Sequence, residues 1–397
     1  MTFTTLALIV TVGIAGPLLA LPRQWHLPVV LGELVAGILL GPTGSGTLHA
    51  TDPSFTLLAD VGFALVMFVA GSHVPVRDPA IIRSLRTGGL RAVGVAVVSI
   101  PLALAISHGF GTGHTALYAV LMSSSSAALI LPIVDSLGLG GEAITAALPQ
   151  IALADAACIV ALPLAIDPSR AGRASLGALA VIACAAVLYV ALSYVEKKGW
   201  RHRVHELSEE RSFALELRIS LAILFGLAAV ATKTHVSIML AGFSFGIAVA
   251  AVGEPRRLAK QLFAITEGFL GPLFFVWLGA SLDIRALGSH PKFIALGVVL
   301  GLGAATTHTA MAVTKQPIAV AALCCAQLGV PVAAATLGTQ LGLLANGQPA
   351  ALILGALVTI AIATLSGGVL APRTGSAAPP GPPQPQPRST PSRSRSS

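Results

Sequence analysis

Apolar stretches long enough to cross a bilayer recur along this chain with little between them, and no other feature limits its fold as tightly. A hydrocarbon core about 30 Å thick takes about 20 residues of helix. Stretches of that kind lie at 3–21, 28–45, 55–72, 90–108, 115–136, 143–166, 175–195, 213–231, 236–252, 262–281, 292–313, 317–343 and 348–371. By length and hydropathy they read as 13 helices of an all-α polytopic membrane protein. Only 10% of the residues are charged. A soluble globular protein carries about 25%, so most of this surface must face lipid. That excludes a soluble enzyme.

Residues 1–371 read as one membrane domain, because no connection is long enough to fold separately. One of the two longest, 196–212, is rich in charge and reads as a solvated loop between two halves. Residues 372–397 hold eight prolines, four arginines and no acid, a composition that predicts a disordered cytoplasmic tail. The first apolar stretch lacks a basic leader and a clear cleavage site, so it reads as a retained span.

The net charge of +8 reads as a topology signal, not as a nucleic-acid surface. With the N-terminus outside, 19 of the 24 Lys and Arg fall in loops after odd-numbered spans, in their flanks or in the tail. That bias supports 13 spans and a cytoplasmic C-terminus, and the expected location is the cell inner membrane, as a multi-pass protein. Thirteen divides as 6+1+6, and the two groups of six run in opposite senses, the inverted-repeat plan of many secondary transporters.

In span 5, four serines (Ser123, Ser124, Ser125, Ser126) sit mid-membrane with Pro132 six residues beyond. The corresponding span 12 carries Gln327 and Pro331 near its middle. Two interrupted helices in matching positions point to a transporter binding site. The competing explanation is small-residue packing with a proline kink.

Asp155 falls at the centre of span 6. An ionised carboxylate there costs several kcal/mol unless it meets a wet cavity or a cation. Such a group holds a proton or a monovalent cation in turn, the physical core of cation/proton exchange. The alternative is a structural aspartate bonded to neighbouring serines. Glu33, Asp60, Glu216 and Glu267 fall near the beginnings of spans and read as interfacial acids in first turns. His308 in span 11 either pairs with a carboxylate or bonds to its neighbouring threonines. No phosphate loop is present, which disfavours an ATP-driven pump. The four cysteines suggest neither a metal site nor a disulfide framework, and no cofactor is expected.

Several motifs then fall in a familiar order. Residues 31–42 read Leu-Gly-Glu-Leu-Val-Ala-Gly-Ile-Leu-Leu-Gly-Pro, and 64–71 read Ala-Leu-Val-Met-Phe-Val-Ala-Gly. Ser123 to Pro132 and Asp155 follow, then His235 ahead of Gly242 and Gly246, then 272–283 with its Pro-Leu-Phe-Phe-Val-Trp-Leu-Gly-Ala-Ser-Leu-Asp. Together they resemble the sodium/hydrogen exchanger domain of the monovalent cation:proton antiporter-2 family, over residues 5–370. The resemblance implies a homodimer in which each protomer has a dimerisation domain and a mobile core. It also implies two broken helices, spans 5 and 12, crossing beside the ion-binding aspartate.

The family often places Asn or Asp before that aspartate, and here Ala154 stands there. Members that exchange charge unequally tend to carry a lysine in the span before the second broken helix; here His308 lies near the matching place. These departures favour electroneutral exchange. The expected function is a secondary antiporter, not an enzyme, exchanging Na⁺ or K⁺ for H⁺ by alternating access. Asp155 would carry the ion or proton, and Ser124 and Ser125 with nearby carbonyls would supply oxygen ligands. Ser123, Ser126, Pro132, His308, Gln327, Pro331 and Thr339 are expected around the crossover. The second reading is a non-exchanging membrane protein on the same scaffold: a gated cation leak, an organic-solute carrier or a sensor.

Overall fold

A computed structural model describes residues 2–21, 29–72, 79–167, 171–198, 214–234, 236–253, 256–282 and 284–371. The tail, most of the 196–212 loop, His235 and Asp283 lie outside the described residues. Within the described residues all regular structure is helical. The chain runs through α1 (Phe3–Gly13), α2 (Ala15–Ala20), α3 (Val29–Leu40), α4 (Pro53–Ser72) and α5 (Pro79–Phe110). It continues as α6 (Thr115–Ser123), α7 (Ala127–Ser136), α8 (Glu142–Ile166), α9 (Ala171–Lys197), α10 (Leu215–Lys233) and α11 (Ile238–Val252). Next come α12 (Arg256–Ile265), α13 (Gly271–Ser281), α14 (Ile284–Ser289) and α15 (Pro291–Thr309), then α16 (Ile318–Leu323), α17 (Gly329–Gln340) and α18 (Gln348–Leu370). Eight helices among the described residues are long and apolar enough to cross a membrane.

Lipid-facing surfaces are visible in the pattern of exposure. Along α5, Leu90, Val93, Val97, Ile100 and Leu104 are all exposed. Their spacing of three or four residues makes one stripe on the helix. A soluble fold would bury such a stripe, whereas here it suits acyl chains.

Two helix pairs approach backbone to backbone, and both use the glycines of the motifs quoted above. A Cβ on Gly37 of α3 would fall 2.1 Å from Val276 O of α13, and one on Gly279 would fall 2.1 Å from Leu34 O. Likewise a Cβ on Gly242 of α11 would fall 2.3 Å from Ala64 O of α4, and one on Gly246 would fall 2.2 Å from Phe68 O. Motif 31–42 therefore packs on 272–279, and motif 64–71 on 242–246. Close approach through small residues replaces the hydrophobic drive that lipid removes.

Several sequence expectations need correcting. Span 10 is not one regular helix: α12 and α13 join through a π turn, Thr266–Leu270. Pro272 lacks the amide that would reach back one turn, and its ring crowds that carbonyl, so the turn before it widens. Asp60 is not a first-turn acid, because α4 starts at Pro53 and places it two turns inside. Glu33 is not an exposed acid: it is buried within α3 and packs against Gly16 of α2. Arg91 is also no flanking charge. α5 begins at Pro79, and Arg91 is 7% exposed in its interior.

Candidate ion and proton site

Span 5 is two helices. α6 ends at Ser123, Ser124 is extended (φ −73°, ψ 155°), and α7 starts at Ala127. The serine hydroxyls bond to carbonyls at the break. Ser123 Oγ donates to Ala119 O at 2.7 Å, and Ser124 Oγ donates to Leu121 O at 2.8 Å. Leu121 O, which a continuing helix would give to the Ser125 amide, is instead taken by the amide and the hydroxyl of Ser124. Span 12 is also two helices, with residues 324–328 between α16 and α17. Neither proline sits at a break. Pro132 falls within α7, and Pro331 falls in the first turn of α17, where its missing N–H costs nothing.

The two breaks meet. Ser125 Oγ donates to Cys324 O at 2.8 Å, and the Gln327 side-chain amide lies against Ser124 Oγ; the one proton of that hydroxyl serves Leu121 O, so the amide is turned to donate. Two further helices hold the crossing in place. From α18, Thr359 Oγ1 accepts the Gln327 N–H at 3.3 Å. From α15, Thr307 Oγ1 donates to Met122 O at 3.0 Å, and His308 Nε2 lies 3.2 Å from Ser124 O. A carbonyl can only accept, so that contact assigns the proton of a neutral His308 to Nε2. His308 Nδ1 is then a buried acceptor with no partner among the described residues.

Asp155 projects from the middle of α8 into this arrangement and is 6% exposed. Its Oδ2 accepts the N–H of Ala127 at 3.0 Å. Ala127 opens α7, so the carboxylate caps the positive end of a helix. That placement is worth about 0.3–2 kcal/mol to a negative charge. The cost of an ionised carboxylate in the membrane interior is several kcal/mol, so the cap alone does not offset it. The serines bond to backbone, to Gln327 and to Cys158 Sγ, and none of them bonds to Asp155 among the described residues.

Of the sequence candidates, Asp155, Ser123, Ser124, Ser125, Ser126, His308 and Gln327 gather at the crossing. Thr339 does not. It lies near the far end of α17, is exposed, and bonds to Ala335 O of its own helix at 2.7 Å. Sequence reading does not single out Thr359, Thr307 or the Ala127 amide. A lone threonine in an apolar span carries no signal of its own, and a backbone amide carries none at all.

The family described as "Sodium/hydrogen exchanger, transmembrane" matches residues 6–372. YjbQ of Bacillus subtilis is 23% identical over 377 residues, which is 89% of this chain and 61% of YjbQ. The Na(+)/H(+) antiporter NhaS5 of Synechocystis is 30% identical over 275 residues, 66% of this chain and 38% of NhaS5. The chain thus spans less than two thirds of the length of either relative. Among solved structures, the sodium proton antiporter MjNhaP1 of Methanocaldococcus jannaschii shares the fold with a TM-score of 0.65 at 14% identity. That match covers 93% of this chain and 97% of MjNhaP1. The match across nearly the whole membrane region, with the broken helices and the buried aspartate in place, makes this chain a member of the sodium/hydrogen exchanger family.

Proposed function

We propose that the chain is a secondary antiporter that exchanges a monovalent cation, Na⁺ or K⁺, for H⁺ across the cell membrane by alternating access. The observation that carries this reading is the Asp155 carboxylate, buried at the N-terminus of α7 where two broken helices cross. One carboxylate with two mutually exclusive occupants couples the two fluxes. Ser124 and Ser125 complete the cation's shell with neighbouring carbonyls, since a hydroxyl that donates a hydrogen bond keeps lone pairs for a cation. The relatives named above as Na⁺/H⁺ antiporters support the ion class.

Exchange is electroneutral in this reading. Ala154 adds no second charge beside Asp155, and a neutral His308 takes the place of a lysine. We read 13 passes in a 6+1+6 plan, with the N-terminus outside, the C-terminus in the cytoplasm and two copies per functional unit. Helical segments at each of the 13 apolar stretches and the bias of basic residues support the topology.

The direct test is dye-reported dissipation of a pH gradient in proteoliposomes on addition of Li⁺, Na⁺, K⁺ or Rb⁺. Na⁺ or K⁺ should collapse the gradient with saturable kinetics. A gradient indifferent to all four ions contradicts the reading.

A further inference from the structure

Arg91 is a cation in an apolar helix and needs an explanation. Among the described residues it has no acidic partner. Its Nε donates to Thr314 Oγ1 at 2.9 Å and its Nη2 to Thr314 O at 3.4 Å. Thr314 ends the 3₁₀ turn Ala310–Thr314 that extends α15. Next, Lys315 takes a left-handed conformation (φ 64°), and the chain turns into Gln316, which is 2% exposed.

Gln316 Nε2 donates to Gln150 Oε1 at 3.0 Å and approaches Cys324 Sγ at 3.8 Å. Gln150 is fully buried on α8, five residues before Asp155. Cys324 is the residue whose carbonyl takes the Ser125 hydroxyl. Among the described residues each amide keeps one buried polar atom without a partner, Gln150 Nε2 and Gln316 Oε1. Exchanging the oxygen and nitrogen of both amides still leaves one donor and one acceptor. An open donor beside an open acceptor is what one water molecule satisfies, and a buried polar pocket is where ordered water resides.

Arg91 is held on Thr314, two residues before Gln316, so its charge lies on the turn that delivers the amide pair. It therefore opposes any cation at this position but not a neutral water. We propose that Arg91, with the water-holding pair Gln150 and Gln316, is a cation barrier beside the crossover. Water enters from this side, while Na⁺, K⁺ and hydronium are repelled. An ion on Asp155 then leaves only when the protein changes conformation, which keeps exchange free of leak. Cation exclusion by a fixed arginine is a known device of membrane pores. The inference rests on the exchange reading for its purpose, but its test does not.

The native cysteines make that test possible. Cys324 and Cys325 are equally buried at the same break, yet Cys325 Sγ faces Thr359 O and not the amide pair. Full-length protein in membranes is treated with neutral methyl methanethiosulfonate or with its cationic aminoethyl analogue, and labelling is read at each cysteine by mass spectrometry. Cys324 should react with the neutral reagent at least about tenfold faster than Cys325, and at least about tenfold faster than with the cationic one. In Arg91→Gln the preference for the neutral reagent should disappear at Cys324, and proteoliposomes should lose a pH gradient without added cation. A Cys324 as inert as Cys325 overturns the water pocket. Equal rates with the two reagents in the unmutated chain overturn the barrier. An Arg91→Gln protein that loses thermal stability but stays tight to ions assigns Arg91 a purely structural cap. The labelling is read without transport, so exchange abolished by Asp155→Asn alongside an inert Cys324 sinks this inference alone.

Discussion

The amide of Ala127 donates to Asp155 Oδ2 across 3.0 Å, joining the first residue of α7 to the centre of α8. This contact makes the break in the serine run and the buried carboxylate parts of one device. The break at 124–126 exposes a helix N-terminus in the membrane interior, and the carboxylate is the group that terminus attracts. Asn at position 155 keeps an oxygen for the same amide but has no charge and no titrating proton. The cap should survive, with stability changed by about 1 kcal/mol or less, while function is lost.

The crossing should depend on Thr359. Thr359→Val keeps the shape of the side chain but leaves the Gln327 N–H without its acceptor. An unsatisfied buried donor costs about 1–3 kcal/mol. Thermal unfolding in detergent should shift down accordingly, and Thr359→Ser should restore most of the loss. A valine variant as stable as the unmutated chain would show that the bond holds nothing.

The glycine contacts make a sharper contrast. Gly242→Ala puts a methyl 2.3 Å from Ala64 O, a backbone atom that cannot turn aside. Overpacking of this kind costs about 1–3 kcal/mol, and α4 and α11 should separate. Gly226 on α10 has open space around it, so Gly226→Ala should be neutral or stabilising by up to about 1 kcal/mol. Parallel melting curves decide; equal shifts for both substitutions contradict the packing account.

Electroneutrality can be read as an electrical silence. On a solid-supported membrane, the unmutated chain should move protons against Na⁺ or K⁺ without a current. A current that reverses with the gradients would mean unequal charge exchange. A current carried by one ion alone would favour a channel.

Much of this arrangement is legible in the sequence, for identifiable reasons. Asp155 is conspicuous because acids are scarce in the spans, so one at the centre of a helix cannot be dismissed as surface charge. The serine run and Gln327 stand out as interruptions of apolar helices. The prolines do not mark the breaks: Pro331 lies in a helical first turn, where proline is at ease, and α6 ends at Ser123. Glu33 and Asp60 are misplaced by hydropathy because a first-turn acid can be recognised only once the true helix start is known. Thr339 misleads for a related reason: sharing a span with Gln327 does not put a residue at the break. Gln150 and Gln316 are neutral and 166 positions apart, and nothing local links them. Their juxtaposition exists only in the folded chain.

The central claim is that Asp155 carries both the cation and the proton. Its most direct test compares the unmutated chain with Asp155→Asn in proteoliposomes, both checked for monodispersity and thermal stability. Dissipation of the pH gradient is recorded on addition of Na⁺ and of K⁺. The account predicts saturable dissipation by the unmutated chain and none above protein-free liposomes for Asp155→Asn. Undiminished exchange in a folded Asp155→Asn protein would contradict it.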